Sequence, residues 1–155
     1  MKHILTAILA TALIPIAACA KHSVEKEVKG YAVYKFINLG GIDVKAFKAN
    51  EAETKKIPGV NFDAWLEQQE LFASRGFDLH TPLIVQSETG EEIEVFVQTK
   101  DYKELWKVSP HELAKQKKSH FVSIKYVQDR VGNETVSRAI SFDSKLIERD
   151  PIIRK

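Results

Sequence analysis

The 155-residue chain contains little of several residue types: one cysteine, five prolines, seven glycines and five histidines. A single thiol leaves the folded part without an internal disulfide, so its stability has to come from an apolar core. Glycine and proline are too sparse for a collagen-like or low-complexity chain. An excess of one charge is lacking too. The 23 basic and 21 acidic side chains give a formal net charge of +2, which selects no partner by long-range attraction. What is present is apolar and aromatic. Hydrophobic residues make up 44% of the chain, and all eight Phe, two Trp and four Tyr follow residue 30. That content is too high for disorder, and the length suits one domain.

The one long hydrophobic run lies at the front. Lys2 and His3 precede an apolar stretch over 4–16, interrupted only by Thr6, Thr11 and Pro15, and the small residues Ala17 and Ala18 follow. This is the layout of a signal peptide, and it is shorter than the roughly 20 apolar residues that a spanning helix needs. Ile16-Ala17-Ala18-Cys19 resembles the lipobox of bacterial lipoproteins: a branched apolar residue, two small ones and a cysteine. The resemblance implies that the Cys19 sulfur carries a diacylglyceryl group, that the peptide bond before it is cut, and that the new amine is acylated with a chain such as palmitate. A thiol is the side chain best suited to such alkylation. Ala20, rather than an aspartate, implies the outer membrane of a two-membrane bacterium. Ala18-Cys19-Ala20 also fits an ordinary A-x-A site cut after Ala20, and the lipobox is the preferred reading.

The expected organisation is a signal peptide over 1–18, a lipidated cysteine and tether over 19–27, one domain over 28–142 and a loose tail over 143–155. Residues 20–27 span at most roughly 25–30 Å when extended, which keeps the domain near the bilayer.

Within the domain, 28–37 and 42–47 are read as a hairpin around Asn38-Leu39-Gly40-Gly41, 48–59 as a charged loop with room for a short helical turn at its start, and 101–106 as a stretch that can add a turn of helix. Phe62, Trp65, Leu66, Phe72 and Ala73 fall on one helical face, with Asn61 or Asp63 to cap it and Gly76 to end it. Strands at 82–87 and 92–98 form a second hairpin. Ser109-Pro110-His111-Glu112 is a capping box opening a short helix. Strands at 121–127 and 135–142 form a third hairpin, with Val122, Ile124 and Tyr126 on one face and Val136, Ile140 and Phe142 on a face of the partner. Arg138 interrupts that second pattern, either because it lies toward an edge, the favoured reading, or because it pairs with an acid. The fold class is therefore α+β: a mainly antiparallel sheet of three hairpins with two helices. The element order over 83–142 also resembles the later part of an OB-fold barrel, which stands as the alternative.

Chemistry is sparse. His80, His111 and His120 have no metal-ligand spacing, and Asp78 with His80 is a two-residue coincidence of the kind a surface supplies by chance. There is no G-x-S-x-G turn, no thiol beyond Cys19 and no glycine-rich phosphate loop. Catalytic residues, a metal site and a cofactor are not expected. Lys100, Lys103, Lys107, Lys115, Lys117 and Lys118, diluted by Asp101, Glu104 and Glu112, form a solvated surface or touch anionic headgroups beside the anchor. Nucleic acid is not an expected partner. The leading expectation is a non-enzymatic envelope lipoprotein that binds or blocks an envelope protein near the membrane. Tyr31, Tyr34 and Trp106 are its candidate contacts, since aromatic residues enrich binding sites. The rivals are a small envelope hydrolase or metal-dependent enzyme and a self-assembling structural protein.

Overall fold

A computed structural model describes residues 23–35 and 41–154. It contains six strands and five short helices in the order β1 (Lys26–Lys35), α1 (Val44–Ala49), α2 (Glu51–Thr54), α3 (Phe62–Phe72), β2 (His80–Ser87), β3 (Glu92–Gln98), α4 (Thr99–Leu105), α5 (Pro110–Lys115), β4 (Lys118–Val131), β5 (Glu134–Glu148) and β6 (Ile152–Arg154). Mixed helices and a mostly antiparallel sheet make this an α+β fold, as the residue pattern predicts.

The first expected hairpin does not form. Asp43 caps a helix instead: its Oδ1 accepts the Ala46 N–H at 2.9 Å, and Val44–Ala49 coils into α1. The alternation of Ile42, Val44 and Ala46 is equally compatible with a capped helical turn, and the cap decides between them. Residues 36–40, which hold most of the expected turn, lie outside the described residues. The charged stretch after α1 contains a helical turn, α2, and α4 forms over Thr99–Leu105, so the described residues hold five short helices where the residue pattern predicts two, with a further turn at the start of 48–59 and over 101–106.

Helix α3 starts where its cap predicts, with Asn61 Oδ1 accepting the Ala64 N–H at 3.2 Å. It runs into a wider π turn over Ala73–Phe77, and Gly76 ends it at φ +86°, a conformation that a side chain resists. The β2–β3 hairpin forms as expected and buries Leu83, Val85, Val95 and Val97 almost completely. The capping box also forms, with Ser109 Oγ accepting the Glu112 N–H at 3.2 Å.

The β4–β5 hairpin extends beyond its expected ends at both sides. Glu148 still pairs with Lys118, and Ile152–Arg154 adds β6 parallel to β1, so most of the expected tail belongs to the sheet. A bulge leaves Ile140 opposite no residue, between the pairs Tyr126 with Ala139 and Lys125 with Ser141. An extra residue reverses the alternation that follows it. Val136 consequently packs on one side of the sheet and Phe142 on the other, and Ile140 is exposed, so the three do not share a face. Arg138 is not explained by an edge. Its Nε donates to Asp129 Oδ2 at 2.9 Å, and its guanidinium lies 5.7 Å from the centre of the Phe77 ring.

The sheet order is β2-β3-β5-β4-β1-β6, and β1 also pairs with β2. The pairings therefore run in a circuit through β1, β2, β3, β5 and β4. The link from β3 to β5 is one parallel residue pair, Phe96 with Arg138, and the sheet is not a regular barrel. Strand β1 serves three neighbours: it pairs with β4 over 26–31 and with β2 over 30–33, changing partners at Gly30, and with β6 over 33–35. The inner side of the sheet holds Val28, Ala32, Val122, Ile124 and Tyr126 with the β2–β3 valines, closed at one end by Leu105 of α4. A second cluster, Ile42, Phe72, Phe77, Phe96 and Val131, joins the outer side to α3 and the π turn.

Candidate functional site

The contact between α3 and the outer side of the sheet is incomplete. Phe62 and Phe72, at the two ends of α3, are buried, whereas Trp65 between them is half-buried. The space left is a cleft of about 340 Å3, within the range of small-ligand sites. Its floor comes from alternate residues of four strands: Val33 on β1, Pro82 and Ile84 on β2, Phe96 on β3 and Val136 on β5. Trp65 and Phe72 form the roof, and Ile42 closes one side.

Polar groups sit at definite places in this apolar frame. Gln69 Oε1 accepts the Asp43 N–H at 3.0 Å, which joins α3 to the start of α1 and leaves the Gln69 amide N–H groups to face other partners. Gln68 lies beside it, and Tyr102 of α4 contributes at one end. Lys35, Glu94 and Glu134 are exposed residues of the lining. The arrangement offers aromatic and aliphatic contact area, amide donors and both signs of charge. It suits binding and orientation.

None of the three aromatic candidates from the sequence lines this cleft. Tyr34 and Trp106 do come together, edge-on at 5.1 Å, and Trp106 is edge-on to His120 at 5.7 Å. This group caps the inner core beside Leu105. Tyr31, three residues from Tyr34, lies on the other side of β1. It is edge-on to Phe121 at 5.5 Å, with the Arg149 guanidinium 3.6 Å from its ring centre. All three are half-buried, and they do not form one surface. Cys19 lies outside the described residues. Trp65 and the two glutamines are not legible as a site in the sequence because α3 on its own looks like a helix with one core face and one solvated face. The cleft needs the four strands beneath.

The histidines stay apart in role. His80 Nδ1 meets the backbone carbonyl oxygen of Asp78 at 2.8 Å, so the carboxylate does not orient the ring. Burial pushes the His120 imidazole below its ordinary value of 6.5, with the Leu105 carbonyl opposing, and neither ring nitrogen has a partner in good hydrogen-bonding geometry. The buried Trp106 indole N–H also lacks a partner. Among the described residues no group of three or more His, Cys, Asp or Glu side chains could hold a metal ion.

The lysines of α4 and α5 lie far from the tether. Lys26, where β1 begins, pairs with Tyr126, eight residues along β4 from Lys118, a separation of roughly 27 Å at about 3.4 Å per residue. Lys107 pairs with Glu104 at 2.5 Å and Lys115 with Glu112 at 3.6 Å. The other four, Lys100, Lys103, Lys117 and Lys118, have no ion pair among the described residues, and Cys19 lies outside those residues. Compared with known protein families, curated proteins and solved structures, the chain matches none of them.

Proposed function

We propose that this chain is a lipid-anchored bacterial envelope protein, acylated at Cys19 and held on the periplasmic side of the outer membrane. Its domain acts without catalysis, by binding or blocking another envelope component through the cleft beneath α3. The observation that carries the binding reading is that cleft, a concave apolar site with convergent amide and charged groups. The anchor rests on the resemblance of Ile16-Ala17-Ala18-Cys19 to a lipobox. No helix among the described residues is long and apolar enough to cross a membrane. With β1 beginning at Lys26, only residues 20–25 separate Cys19 from the sheet, a covalent reach of roughly 20 Å at about 3.3–3.6 Å per residue. Partners within or close to the same membrane are therefore favoured.

We read the sheet further as an irregular OB-like barrel. The strand circuit, the parallel meeting of β3 with β5, and the helices between β3 and β4 support this. In OB folds the face of the second and third strands and the loop between the first two are where ligands are held. Here the segment between β1 and β2 carries α1 to α3 across that face, and the cleft lies between them.

Placing a photo-crosslinking amino acid at Gln68 of the full chain in intact cells tests the binding reading. One discrete crosslinked product is expected from Gln68 and none from the same substitution at Thr89, in the β2–β3 turn. No product from either position, or equal products from both, would contradict it.

A further inference from the structure

The register of the sheet sets the cleft's charges in order. Val33, Ile84 and Glu94 lie side by side on β1, β2 and β3, and Pro82 pairs with Phe96 in the neighbouring row. Lys35 is two residues beyond Val33, so it lies over the β1 end of the cleft. Phe96 meets Arg138, which brings Val136 beside Glu94 and leaves Glu134 two residues further along the same side of β5. One ammonium thus stands at the β1 corner and two carboxylates at the β3–β5 corner, with Ile84 and Phe96 between. The side chains of Lys35, Glu94 and Glu134 have no ion-pair or hydrogen-bond partner among the described residues. This contrasts with Glu92, the neighbour of Glu94 along β3, whose carboxylate pairs with Arg154.

We infer that the cleft takes a short extended segment of a partner polypeptide, with a lysine or arginine side chain at the β3–β5 corner. The inference rests on the reading of the cleft as the ligand site and adds the occupant. Crossing from β1 to β5 takes three strand spacings, roughly 14 Å at about 4.8 Å each, which an extended chain covers in about four residues. The unspent amide N–H groups of Gln69 match backbone carbonyls, and Trp65, Ile84 and Phe96 match apolar side chains or the stem of a long basic one. Glu94 and Glu134 supply the charge complement.

The full chain labelled with 5-fluorotryptophan tests this, because its two tryptophans, Trp65 and Trp106, give two fluorine NMR signals that a Trp106→Phe variant assigns. The probes are a blocked Phe-Lys-Phe-Lys tetrapeptide, its Phe-Glu-Phe-Glu counterpart and spermidine. The basic peptide is expected to shift the Trp65 signal saturably and leave that of Trp106 in place. Glu94→Gln and Glu134→Gln should each weaken its binding about threefold to fivefold, the upper part of the range for exposed ion pairs. Both side chains are exposed, so the variants leave the fold intact and a null result is interpretable. Equal binding of the acidic peptide, or no effect of the two substitutions, overturns the charge assignment while the cleft reading survives. A spermidine shift as large as that of the basic peptide overturns the peptide in favour of a small organic cation. No shift of Trp65 with any probe overturns both this inference and the cleft as the ligand site.

Discussion

Gly30 and Gln86 approach so closely that a β-carbon on Gly30 would stand 2.1 Å from the Gln86 carbonyl oxygen. This is where β1 passes from β4 to β2, so the only residue without a side chain sits at the exchange of partners. The neighbouring atom is backbone and has no rotamer through which to yield. Gly30→Ala is expected to cost about 3 kcal/mol, the upper end of the range for overpacking. Urea unfolding followed by circular dichroism measures it, and a loss below about 0.5 kcal/mol would mean that the strands do not meet there.

Asp43 holds α1 in two ways, as its N-cap and through its own N–H on Gln69. Asp43→Ala removes the cap alone and is expected to lower stability by about 1 kcal/mol. Amide exchange resolved by residue should quicken first at Ala46. Unchanged exchange over α1 would argue for the extended conformation that the local alternation also allows.

Arg138 and Asp129 are each about 30% exposed, an intermediate setting for an ion pair. Asp129→Ala leaves the guanidinium half-buried beside Phe77 without its acceptor, and a loss of about 1–2 kcal/mol is expected. Replacing both residues, with Asp129→Leu and Arg138→Met, should recover most of it. A double variant as unstable as Asp129→Ala would show that the cost comes from elsewhere.

Because burial holds His120 below its ordinary 6.5, the unfolded chain takes up the proton first as pH falls. The folded state binds fewer protons, so stability is fully present above the unfolded value and declines as pH drops below about 6.5 toward the lowered folded value. Thermal unfolding between pH 8 and 5 should show this decline in the native chain and a flatter profile in His120→Leu. Parallel profiles would mean that other groups carry the pH dependence.

The elements legible in the sequence are those decided within a few residues. Alternation with a glycine turn gives the β2–β3 hairpin, Ser109 with Glu112 gives the start of α5, and Asn61 with the 3.6-residue spacing gives α3. Asp43 is a cap signal of the same local kind, but the alternation of Ile42, Val44 and Ala46 around it fits a strand equally well. The bulge at Ile140 was hidden because one extra residue changes no composition and only the partner strand reveals it. The pairing of β1 with β4 joins residues such as Val28 and Ile124, nearly a hundred positions apart, where no local pattern reaches. The cleft is more remote still. Trp65 reads as a core residue until four strands and a helix are placed around it.

The most direct test of the account is mass spectrometry of the native chain recovered from the membranes of its host. The native chain is expected to begin at Cys19, with a diacylglyceryl thioether on the sulfur and an acyl group on the amine. A chain beginning at Lys21, or one that keeps Cys19 with an unmodified thiol, would contradict it.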